Sequence, residues 1–128
     1  MDKTKKFSVS WKSSSKPRKQ KNYRANAPLH IKRKLMSSHL SKELKGKYGK
    51  RSVGIRKGDK VKIAVGQFNG KTGKIDKVDI KRDRVFITGI DVIKKDGTKT
   101  NYPIHPSNLI VIELELDDKM RQKILRRK

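Results

Sequence analysis

The sequence predicts a mainly β protein: a small barrel of five short strands, with short N-terminal helices, a basic extended N-terminal tail and a short C-terminal helix. Three observations carry this. Of the 28 Ile, Val and Leu residues, 18 lie between positions 57 and 116. Within that stretch the apolar residues recur with a period of two between turn signals, as strands joined by tight hairpins require. Charge is distributed the other way: residues 1–56 hold 18 basic and 2 acidic groups, 57–116 hold 12 and 8, and 117–128 hold 6 and 2. The expected organisation is a basic tail over 1–25, short helices and a connector over 26–56, the barrel over 57–116 and a basic helix over 117–128.

The first strand is read from Val61, Ile63 and Val65 alternating with Lys60, Lys62 and Ala64. Asn69-Gly70 is a hairpin signal, after which Ile75, Val78 and Ile80 resume the extended pattern. Lys81-Arg82-Asp83 turns into Val85, Ile87 and Ile90 to Ile93. Asp96-Gly97 closes another hairpin before Thr98 to Ile104, and Pro106-Ser107-Asn108 leads to a last strand over 109–116. Five strands with tight turns argue for a small closed barrel. Asp117 is expected to cap a terminal helix containing Met120, Ile124 and Leu125.

In front of the barrel, Asn26 and Pro28 resemble a helix start for Leu29 to Met36. Ser41 is expected to cap Lys42 to Tyr48, which Gly49 ends in the left-handed conformation. Both helices are too short to stand alone. Residues 1–25 bury too little to offset their ordering entropy and are expected to be disordered when free.

Composition limits the function. The 128 residues carry 36 Lys and Arg against 12 Asp and Glu, a net +24, and only 32% are hydrophobic. Such a charge argues against most enzymes and for a polyanionic partner, since each neutralised phosphate releases counterions. There is no cysteine, which removes disulfides, thiolate metal sites and a Cys nucleophile together. No apolar run suits a membrane span or a signal peptide, so a soluble, cytoplasmic protein is expected. His30, His39 and His105 share no ligand spacing, and Asp76, Asp79, Asp83 and Asp91 alternate with Lys77, Lys81, Arg82 and Arg84 as a mixed-sign surface. No catalytic constellation, metal site or cofactor is expected.

The run from Gly58 to Ile75, GDKVKIAVGQFNGKTGKI, resembles a KOW motif, the glycine-punctuated hairpin of SH3-like barrels in ribosomal proteins and transcription elongation factors. Around it, in order, stand Ala27-Pro28-Leu29-His30, Leu40-Ser41-Lys42-Glu43-Leu44 with Lys47-Tyr48, Arg51-Ser52 before Ile55-Arg56-Lys57-Gly58-Asp59, and the run from Tyr102 to Asn108. Together these resemble the archaeal and eukaryotic form of the large-subunit ribosomal protein family numbered twenty-four in the universal naming, over about residues 16 to 126. Gly54 stands where that family usually has Pro, and the first 15 residues match nothing in it. The resemblance implies a structural role: binding the 5′ region of large-subunit ribosomal RNA, acting early in assembly, lying near the nascent-chain tunnel exit, and contacting neighbouring ribosomal proteins.

The residues read as RNA-binding are Lys16, Arg18, Lys19, Lys21 and Arg24 in the tail, Lys32, Arg33 and Lys34 in the first helix, Arg51, Arg56 and Lys57 in the connector, Lys71 and Lys74 in the hairpin, and His105. Gly66, Gly70 and Gly73 are read as the turn glycines that let backbone approach RNA. Against these stand plainer readings: a solubilising tail, a solvated helix face, and turn geometry alone. The competing function is a KOW-domain elongation factor or other RNA-binding factor acting off the ribosome, which would need a further α/β domain. A nucleic-acid-processing enzyme lacks a nucleophile with its base, and a histone-like packer does not fit the barrel.

Overall fold

Elements form where period and caps agree. The computed structural model describes residues 7–127; Lys3, Lys5 and Lys6 of the tail lie outside the described residues. A short 3-10 helix, Val9–Ser13, precedes helix α1 (Pro17–Asn26), α2 (Leu29–Leu35), strand β1 (Ser37–Leu40), α3 (Lys42–Tyr48) and β2 (Ser52–Gly54). Then come β3 (Lys60–Ile63), β4 (Thr72–Asp79), β5 (Arg84–Ile87), β6 (Asp91–Ile93), β7 (Lys99–Asn101), a 3-10 turn (Pro106–Asn108), β8 (Leu109–Glu113) and α4 (Lys119–Arg126).

The fold is a β-rich mixture of helices and strands. Six strands make one sheet in the order β2-β1-β8-β3-β4-β5, while β6 and β7 pair as a separate antiparallel ribbon. The expected five-stranded closed barrel is therefore corrected in two ways. There are eight strands: Ser37–Leu40 and Ser52–Gly54, in the stretch expected to hold short helices and a connector, pair with each other, β1 also adds in parallel to β8, and the expected strand from Val85 to Ile93 breaks into β5 and β6. The sheet is open rather than closed: the expected strand from Thr98 to Ile104 splits, its start pairing with β6 and its end touching β5 only through the bridge Val85–Ile104.

Alternation places the core. Val61, Ile63, Val85, Ile87, Leu109 and Val111 are buried, and Leu40, Ile75 and Ile90 pack with them. Val65, expected to continue β3, is instead exposed, because the strand ends at Ile63 and the chain enters the 64–71 loop. Gly73 is not a turn residue but lies within β4. A Cβ there would sit 2.6 Å from Ile87 Cγ2 and 2.8 Å from the Thr88 carbonyl oxygen, so close packing is what requires glycine.

The helices show what caps determine. In α3 the Ser41 hydroxyl accepts from the Leu44 N–H, and Gly49 closes the helix at φ 62°, as expected. Residues 17–26 are helical where an extended, disordered segment was expected: Pro17 starts the helix, Lys, Arg and Gln sustain it, and buried Tyr23 gives it an anchor, 5.2 Å from Phe7 between ring centroids. Asn26 ends α1 and does not cap α2, which starts from extended Pro28. At the other end Asp118, not Asp117, caps α4 by accepting from the Met120 N–H at 2.9 Å. That register buries Arg121 and Leu125 and exposes Met120 and Ile124, two of the apolar residues read into this helix.

Candidate nucleic-acid interface

The 64–71 loop is closed at its base by backbone pairs. Ile63 donates to the Lys71 carbonyl and Gly70 to the Ile63 carbonyl, both at 2.9 Å, and Lys71 donates to the Phe68 carbonyl at 3.1 Å. Gly66 and Gly70 hold φ of 110° and 86°, values that side-chain-bearing residues rarely adopt. Ala64 donates to the Asn108 carbonyl at 2.8 Å, which ties the loop to the 102–108 segment. That segment is in turn fixed by Tyr102 donating to the Ile90 carbonyl, by the Val85–Ile104 bridge, and by the buried Ser38 hydroxyl donating to the Pro106 carbonyl at 2.7 Å. Phe68 and Tyr102 meet edge to face with ring centroids 5.0 Å apart, and the Lys71 ammonium lies 5.1 Å from the Phe68 ring.

His105 belongs to this surface. Its Nδ1 accepts from the Ser107 N–H at 3.3 Å and lies 2.8 Å from the Ser107 hydroxyl. Partial burial is the largest cause holding its pKa below the ordinary value; the Arg84 and Arg24 charges add to that, and Asp83 opposes it. The imidazole thus takes up a proton less readily than an ordinary histidine, with one nitrogen committed to Ser107.

The other residues expected to bind RNA separate into groups. Lys16, Arg18, Lys19, Lys21 and Arg24 are exposed on or beside α1, and Arg33 and Lys34 are exposed on α2. Lys32 is half-buried and donates to the Lys81 carbonyl at 3.2 Å. Arg51, Lys71 and Lys74 are exposed, Lys74 lying opposite Lys60 in the β3–β4 register. Arg56 and Lys57 are engaged elsewhere: Arg56 pairs with Asp118 at 2.6 Å and Lys57 lies 3.6 Å from Asp76, lining a different groove from the 64–71 loop. Sequence reasoning assigned no role to Phe68, Arg84, Tyr102 or Asn108, which line the cleft with His105. The available signal was the aromatic residue set between Gly66 and Gly70.

Among the described residues no three His, Asp or Glu side chains gather as a metal site, and no helix is long and apolar enough to cross a membrane. What remains is a rigid loop and turn carrying aromatic, amide and cationic groups beside two exposed basic helices.

The chain matches known proteins along almost its whole length. Residues 14–128 match the family described as the ribosomal proteins L26 of eukaryotes and L24 of archaea. The large ribosomal subunit protein uL24 of Korarchaeum cryptofilum is 48% identical over 115 residues, covering 90% of this chain and 88% of that protein. The family match spans α1, the 64–71 loop, the 102–108 segment and α4, so the chain belongs to the uL24 family of large-subunit ribosomal proteins.

Proposed function

We propose that this structural constituent of the large ribosomal subunit binds the 5′ region of large-subunit rRNA, assists early subunit assembly and lies near the nascent-chain tunnel exit of cytoplasmic ribosomes. The observation that carries the RNA reading is the exposed, unneutralised charge of the front helices. Arg18, Lys19, Lys21, Arg24, Arg33 and Lys34 are exposed, and among the described residues no carboxylate pairs with any of them. A surface so charged repels itself until phosphates replace the missing anions. The 5′ region, the assembly step and the tunnel-exit position come from the family resemblance and are supported by the 48% identity to an archaeal uL24. We also read β3, β4, β5, Ile104 and β8 as an SH3-like KOW barrel left partly open, supported by the Val85–Ile104 bridge and by the 3-10 turn entering β8.

Affinity for a transcript of the rRNA 5′ domain, measured across salt concentrations and against transcripts of the other domains, tests the reading. About ten neutralised phosphates would give a slope of log affinity against log salt of about −7 to −9. A slope shallower than about −3, or equal affinity for every domain, defeats it. In a lysate the protein should co-sediment with the large subunit through a moderate salt wash.

A further inference from the structure

Between the 64–71 loop and the 102–108 segment lies a cleft of about 320 Å³, near the lower end of the size range of small-ligand sites. Its lining combines three kinds of surface. Phe68 and Tyr102 are half-buried and locked edge to face, so each ring retains exposed surface at fixed orientation. Gln67 and Asn108 bring side-chain amides, each both donor and acceptor, and His105 brings a ring whose Nδ1 is occupied by Ser107. Arg84 lines the cleft and Lys71 stands over the Phe68 ring, while no lining residue is acidic. At Gly66 a Cβ would meet nothing within 4 Å, so the wall is backbone with no side chain to fill the opening.

Aromatic faces accept the faces of bases without regard to sequence, amides read base edges, and cations at the mouth hold the flanking phosphates. A base inside an A-form helix presents no free face, whereas an unstacked loop or bulge nucleotide does. A peptide or metabolite would account for the aromatic surface but not for the two cations, Arg84 and Lys71, set beside it.

We propose that this cleft receives one unstacked nucleobase of RNA, stacked on Phe68 or Tyr102, with its edge met by Gln67, Asn108 or His105 and its phosphates by Lys71 and Arg84. The proposal rests on the reading of the protein as an rRNA binder and adds how one nucleotide is held. It makes the 64–71 loop a clamp for a base rather than only a close backbone approach to phosphate and sugar.

The test uses the full chain with two probes, the 5′-domain rRNA transcript and decamers of uridylate and adenylate. Ultraviolet irradiation of each complex, followed by mass spectrometry, should give a nucleotide cross-linked to Phe68 or Tyr102 in the unsubstituted protein. Phe68→Leu and Tyr102→Leu keep apolar volume and remove the rings; each should weaken binding roughly five- to a hundredfold at an unchanged salt slope. Lys71→Ala should instead reduce the slope by about one unit. Cross-links only at other residues, together with leucine variants that bind as the parent does, overturn the cleft even if the transcript binds tightly. Decamers that bind through the cleft while the parent ignores the transcript support the cleft and defeat the rRNA reading instead.

Discussion

Arg121 of α4 grips Asp59 at the entry to β3 with its two terminal guanidinium nitrogens, each at 2.6 Å from one carboxylate oxygen. Asp59 is fully buried and Arg121 is 5% exposed. The carboxylate also accepts from the Arg56 and Glu115 N–H groups, both at 2.9 Å, and the guanidinium donates to the Glu115 and Gly54 carbonyls. One pair thus fastens the C-terminal helix, the end of β2 and the approach to β3. A buried charge without its partner costs about 3 to 5 kcal/mol, so Asp59→Ala or Arg121→Met should each lower stability by about that much in urea denaturation. Arg121→Lys should rescue little, because an ammonium cannot make the two parallel bonds.

Two glycines of the β3–β4 hairpin should fail for different reasons. Gly70→Ala meets open space but must hold φ near 86°, at a cost of about 1 to 2 kcal/mol. Gly73→Ala drives a methyl into the Thr88 carbonyl and Ile87, an overpacking cost of about 1 to 3 kcal/mol. Chemical denaturation separates the two from a binding effect: both variants should lose stability without RNA present.

Removing residues 1–25 takes away the α1 cations together with Tyr23, which is absent from the main core cluster. The thermal midpoint of the remaining chain should move by less than about 5 °C, equivalent to roughly 1 kcal/mol. RNA affinity should fall strongly and its salt slope should become shallower. A larger midpoint change would show that α1 packs on the sheet.

His105 gives a pH signature. Its folded pKa lies below the ordinary 6.5, with burial as the leading cause, so between the folded value and 6.5 the unfolded chain binds more protons. Stability should therefore fall as pH drops from about 6.5 through the folded pKa and then level off as far as this group is concerned. In His105→Gln, midpoints measured from about pH 5 to 8 should lose that component, whatever the absolute stability.

The strands most readable in the sequence were those with a buried face: Val61 with Ile63, Val85 with Ile87, and Leu109 with Val111 alternate as expected. The α3 boundaries were also legible, because Ser41 and Gly49 act through their own backbone neighbours. The strands β1 and β2 were not. Ser37–Leu40 and Ser52–Gly54 are short and polar, and become strands only because each finds a partner. At the interface, the loop glycines and lysines announced themselves through the motif. Arg84 did not, because the pairing of β5 with β4 carries it to the cleft from outside the hairpin, and Tyr102, quoted in the later run, is brought there by its backbone bond to Ile90. Asp59 stood within the motif, but its partner Arg121 lies 62 residues further on, and nothing in the sequence joins the two.

The parallel pairing of β1 with β8 sets His39 opposite Ile110 and Leu40 opposite Val111. Synthesis runs from the N-terminus, so β1 leaves the peptidyl-transfer centre about 71 residues before the strand that places it in the sheet. Contacts this distant in sequence form late. Throughout that interval the segment holding half of the cations exists without its frame, free to meet polyanions as a growing chain. The final shape of the front of the molecule is therefore fixed only when β8 arrives.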